Sequence, residues 1–120
     1  DLDRFAQNLR NIRDALGPDC EMLLVAKADA YGHGAREIAH AAAGEEITRV
    51  GVATLHEGLQ LRSAGITGPI VVLSPLVDAE VSDALAQQLE PTVCDLDGAR
   101  VDKVLIEAVD KELQKSDVET

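Results

Sequence analysis

Aromatic side chains are almost missing from this sequence: one Phe, one Tyr and no Trp among 120 residues. Any core must therefore be aliphatic, built from Leu, Val, Ile and Ala. Positive charge is scarce as well. Eleven Lys and Arg stand against 22 Asp and Glu, for a net charge of −11. Nucleic-acid binding needs basic patches, so that partner class is excluded, as is an anionic membrane surface. The acidity itself serves solubility. There are only two cysteines, Cys20 and Cys94, too far apart in sequence to form a metal-ligand spacing. A domain with this much aliphatic content needs no disulfide, so both are expected as free thiols in a reducing, cytoplasmic compartment. No apolar run approaches the length of a membrane span, and no stretch reads as a signal peptide. No linker or low-complexity segment divides the chain. The first residue is Asp1 rather than Met, which sets the expectation that translation starts elsewhere.

What is present is a regular alternation. Hydrophobic residues make up 46% of the chain, enough for one globular domain with a core. Leu2, Phe5, Leu9, Ile12 and Leu16 recur at steps of three and four, one face of a helix that Gly17-Pro18 stops. Residues 22–26 are a short apolar run that suits a buried strand. A short helix is predicted over 35–43, ending at Gly44. A second strand is expected over Val50–Ala53. Thr54 and Glu57 have the spacing of a capping box for a helix reaching Ser63, with Gly65 and Ile66 as its left-handed stop. Ile70–Leu73 reads as a third strand that Pro75 ends. Asp78 caps a helix carrying Val81, Leu85 and Leu89. Pro91–Cys94 reads as a fourth strand. Asp97 starts a last helix, with Val101, Val104, Leu105, Ala108 and Leu113 on its buried face. Short, wholly apolar strands alternating with helices imply a parallel sheet covered by helices. Periodicity alone leaves an open sheet and a barrel equally available.

The chemistry concentrates behind the first strand, at Lys27-Ala28-Asp29-Ala30-Tyr31-Gly32-His33-Gly34. This places a cation at the carboxyl end of a strand, where parallel α/β folds carry their sites. A lysine there serves equally as a solvated charge at the edge of the core. In the sharper reading it is a partly desolvated amine able to form a Schiff base, the chemistry that pyridoxal phosphate requires. Tyr31 reads either as an amphipathic cap on the sheet or as a ligand contact. Gly32 and Gly34 permit a sharp turn or a close backbone approach. His33 has a donor and an acceptor with which to order the loop. His40 reads as structural and His56 as a surface residue. Asp29 and Glu57 form no obvious carboxylate pair.

KADAYGHG, eight contiguous residues after an apolar strand, resembles the signature of alanine racemases. Amino-acid decarboxylases and other barrel families with the same cofactor diverge directly after their lysine. Asp1 to Arg13 (DLDRFAQNLRNIR), Val50 to Gly65 (VGVATLHEGLQLRSAG) and Pro69 to Leu73 (PIVVL) are similar to the amino-terminal part of the same family. The resemblance fades after about Val93. It implies an α/β fold, a TIM-type (β/α)8 barrel, of which this chain supplies about the first four β/α units. Such a barrel usually needs about 250 residues, so residues 1–120 are expected to be the amino-terminal half of a pyridoxal-phosphate-binding barrel domain, a fragment.

By the same resemblance, Lys27 holds pyridoxal 5'-phosphate as an aldimine and is the catalytic base for the D enantiomer. Tyr31 bonds the cofactor phosphate, and Leu73 packs near the cofactor. The implied activity is that of an isomerase interconverting L- and D-alanine, which supplies D-alanine for peptidoglycan. The partner implied is a second copy in a homodimer, whose carboxy-terminal domain gives the second base, a tyrosine. The strand with a Lys-Val-Asp-Thr-Gly type of segment and the arginine facing the pyridine nitrogen do not occur here. A non-catalytic barrel fragment or relative that only binds the cofactor is the alternative.

Overall fold

In the computed structural model of the chain, residues 1–47, 49–97 and 99–100 are described. The described elements are α1 (Leu2–Leu16), β1 (Leu23–Val25), α2 (Lys27–Tyr31), α3 (Ala35–Gly44), β2 (Arg49–Val52), α4 (Leu55–Ser63), β3 (Ile70–Pro75), α5 (Asp78–Ala86) and β4 (Leu89–Thr92). The four strands form one sheet in the order β1-β2-β3-β4, every pair parallel. Each strand lies beside the next in sequence, with no reversal of order. Doubly wound open sheets reverse at a switch point, whereas barrels run on in sequence. The strand order thus decides what periodicity left open.

Alternation along the strands separates two faces. Val50, Val52, Ile70, Val72 and Leu89 point to the helices and are buried. With Leu55, Leu61, Ile66 and Ala84 they form the main core. Helix α4 comes close to the sheet at Gly58, where a Cβ would stand 2.9 Å from Leu89 Cδ1. On the other face, Leu23, Val25 and Leu73 remain 36–40% exposed. Gly51 lies between them, and a Cβ there would meet both Leu23 and Leu73 side chains. This is the face that lines the interior in a closed barrel. At its lower end Arg49 pairs with Glu90 and with Glu21.

Local signals explain most boundaries. Asp1 caps α1 through Asp3 and Arg4 N–H, and Gly17 ends it with φ 82°. The Thr54–Glu57 capping box is present. Gly65 N–H donates to Arg62 O and Ile66 N–H to Leu61 O, the Schellman pattern that the Gly-Ile pair predicts. Beneath it the Arg62 guanidinium donates to the carbonyls of Ile66, Gly68, Gln87 and Gln88 at 2.7–3.1 Å. Burial lowers its pKa from the ordinary value.

Several expectations need correction. Of the α1 stripe only Leu9 is buried, against Ala42 and Ile47. Leu2, Ile12 and Leu16 stay nearly half exposed, because no described element covers that side. β3 runs on through Pro75, with a register irregularity between Val71 and Pro75 against β4. The cap of α5 is Val77, whose N–H donates to Glu80 Oε1, and Asp78 is the first helical residue. Leu89 belongs to β4 rather than to the preceding helix, because Gln88 turns the chain with φ 57°. β4 accordingly starts two residues before the expected Pro91. A helical turn begins at 96–97, but the face from Val101 to Leu113 expected for it lies outside the described residues. Among the described residues no helix is long and apolar enough to cross a membrane.

Candidate functional site

Parallel register sets Val25 abreast of Gly51 and Gly51 abreast of Val71. Lys27, Ala53 and Leu73 each follow two residues later, so all three lie toward the sheet's carboxyl end, Lys27 and Ala53 just beyond their strands and Leu73 within β3. Lys27 is exposed there. Among the described residues its amine has no hydrogen-bond or ion-pair partner. Leu73 is 40% exposed on the inner face and Tyr31 63% exposed.

The segment expected as a loop after Lys27 is instead a left-handed helical turn. Ala28, Asp29, Ala30 and Tyr31 all have φ of 51–56°. Left-handed helix costs roughly 1–2 kcal/mol per non-glycine residue, so four in succession persist only where surrounding contacts over-determine them. Those contacts are visible. Ala30 is buried in the core. Ala30 N–H donates to Ala26 O, Gly32 N–H to Ala28 O and Gly34 N–H to Asp29 O, all within 3.1 Å. Gly32 and Gly34 close the turn with φ of 87° and 90°, where only glycine is unstrained. Asp29 Oδ1 accepts from Ala35 N–H at 2.8 Å, capping α3. Glu57 Oε2 accepts from Ala28 N–H at 2.6 Å.

Asp29 and Glu57, which the sequence offers only as an unpaired set of carboxylates, thus clamp the turn from its two ends. The Thr-x-x-Glu spacing announces the cap but not its reach to Ala28. His33 does not order the loop through its ring, which makes no hydrogen bond among the described residues. His40 Nε2 lies 2.9 Å from Ala64 O and ties α3 to the end of α4. His56 is exposed, and both cysteines are free and exposed. A cavity of about 580 Å³ opens between α3 and α4, with Ala26, Ala35, Val52 and Leu61 in its lining. It lies on the helix side of the sheet, and Lys27, Tyr31 and Leu73 are not part of it.

The donor set at the sheet end fits one edge of pyridoxal phosphate. It offers an amine without a competing ion pair, a phenol hydroxyl on the following turn, and an exposed apolar side chain on β3.

Residues 1–115 match the family profile described as alanine racemase, N-terminal domain. The chain is 39% identical over 102 residues to an alanine racemase of Synechocystis sp., covering 84% of this chain and 27% of that protein. It is 41% identical over 111 residues to one of Prochlorococcus marinus, covering 92% of this chain and 29% of that protein. The fold superposes on an alanine racemase of Clostridium difficile 630 with a TM-score of 0.86 and 36% identity, over 90% of this chain and 29% of that one. The chain therefore spans less than a third of the length of these relatives.

Proposed function

The chain belongs to the family of alanine racemase N-terminal domains, a TIM-type barrel family, and from that membership we propose that it is the amino-terminal half of the barrel of an alanine racemase. In this reading residues 1–120 supply the first four β/α units. The enzyme interconverts L- and D-alanine and so provides D-alanine for peptidoglycan in the cytoplasm. The observation that carries the reading is Lys27, a partnerless amine at the carboxyl end of β1, held before a strained turn.

Lys27 Nζ would hold pyridoxal phosphate, which would supply the electron sink that makes the substrate's α-proton acidic. With the cofactor bound, the Lys27 amine would take or return the substrate's α-proton on the face that serves D-alanine. The Tyr31 hydroxyl would donate to the cofactor phosphate. Leu73 would pack against the cofactor from β3. Proton transfer on the opposite face requires a second base. A tyrosine of a partner subunit fills that role, which makes the assembly a homodimer.

The test uses the full-length protein with added pyridoxal phosphate. Each alanine enantiomer should convert to the racemic mixture, and Lys27→Ala should abolish the conversion. The alternative reading is a barrel that holds the cofactor without turnover. Cofactor uptake without racemisation would select it.

A further inference from the structure

Donors in a parallel ladder recur every second residue along one strand edge. On the β1 edge, Ala26 N–H donates to Gly51 O of β2 at 2.7 Å. The next donor in that series is Ala28 N–H. It does not continue the ladder. The carbonyl of Ala53 accepts instead from Ser74 on the other side, and Ala28 N–H meets Glu57 Oε2 at 2.6 Å. The ladder stops there, and the left-handed turn begins at the same residue, with Ala28 at φ 51° and ψ 48°.

The same carboxylate is engaged at its other oxygen. Glu57 Oε1 accepts from Ala53 N–H at 3.0 Å and from Thr54 N–H at 3.1 Å. Three backbone donors from two separate segments thus converge on one side chain. Bonds of this kind to an ionised acceptor are about twice as strong as neutral ones. A neutral amide could not replace it: Gln keeps one oxygen, and its NH2 would face an N–H.

We propose that Glu57 is a positioning residue for Lys27. Its carboxylate ends the β1–β2 ladder at Ala28 and holds the left-handed turn. It thereby fixes how Lys27 and Tyr31 leave the strand. Glu57 acts only through the backbone between them. The proposal rests on the reading of Lys27 as the cofactor's attachment point.

The control is Thr54→Ala. It removes the hydroxyl that accepts Glu57 N–H at 3.2 Å and donates to Glu57 Oε1 at 3.4 Å, and so weakens the α4 cap while keeping the carboxylate oxygen that Ala28 N–H reaches. Full-length wild type, Glu57→Gln and Thr54→Ala are compared by amide hydrogen exchange at Ala28 without cofactor, and by equilibrium binding of pyridoxal phosphate. Glu57→Gln should raise exchange at Ala28 and weaken cofactor binding, each by about tenfold or more. Thr54→Ala should lower the unfolding temperature yet leave both readouts within about twofold of wild type. Unchanged exchange at Ala28 in Glu57→Gln, or equal effects of the two variants, would overturn the proposal by reducing Glu57 to a helix cap. If wild type itself takes up no pyridoxal phosphate, the functional reading falls, and the exchange comparison alone decides whether Glu57 holds the turn.

Discussion

Tyr31 sits at the end of four left-handed residues and is 63% exposed, so little in the fold depends on its hydroxyl. In the proposed function that hydroxyl bonds the cofactor phosphate. Tyr31→Phe should therefore leave stability unchanged and weaken cofactor binding. A lost hydrogen bond to a charged group costs roughly 1.5–3 kcal/mol, about ten- to over a hundredfold in affinity. Equilibrium dialysis measures it, and unchanged affinity would remove Tyr31 from the site. The positions of Lys27 and Tyr31 behind an apolar strand were legible in an unusual contiguous motif. The turn between them was not. Ala-Asp-Ala-Tyr contains no glycine to suggest positive φ, and left-handed alanine is favoured by no local preference. Contacts distant in sequence, such as Glu57 on Ala28, help to determine it. For the same reason the roles of Asp29 and Glu57 were invisible at the level of residue type.

Elements were legible wherever a boundary has a local chemical cause. The α4 helix shows this at both ends, with the Thr54–Glu57 box at its start and Gly65-Ile66 at its stop. The α5–β4 junction shows the limit. Leu89 continues the helical spacing of Val81 and Leu85, yet Gln88 at positive φ hands it to the strand, where it fills the space that Gly58 leaves open. The Arg62 fork braces this same junction, since it binds the carbonyls of Gln87 and Gln88 together with those of Ile66 and Gly68. A lysine carries one compact ammonium and cannot span four separated carbonyls. Arg62→Lys should therefore destabilise the full-length protein by about 1–3 kcal/mol, read as a lowered denaturation midpoint, with cofactor affinity unchanged. An unaltered midpoint would show that the fork adds nothing to the junction.

At the scale of the whole molecule, the four described strands leave β1 and β4 as edges, and Leu23, Val25 and Leu73 exposed on the inner face. Open edges and a contiguous apolar face promote association. A polypeptide of residues 1–120 alone should therefore associate in light scattering, whereas a monomer with cooperative unfolding would contradict the half-barrel account. In the proposed function, the carboxyl end of β1 is where pyridoxal phosphate is carried. The most direct measurement adds pyridoxal phosphate to the full-length protein, makes the lysine–cofactor link permanent with borohydride, and maps the labelled peptide. The label should fall on Lys27 and disappear in Lys27→Ala without loss of folding; a label on any other lysine, or none in the wild type, would contradict the account.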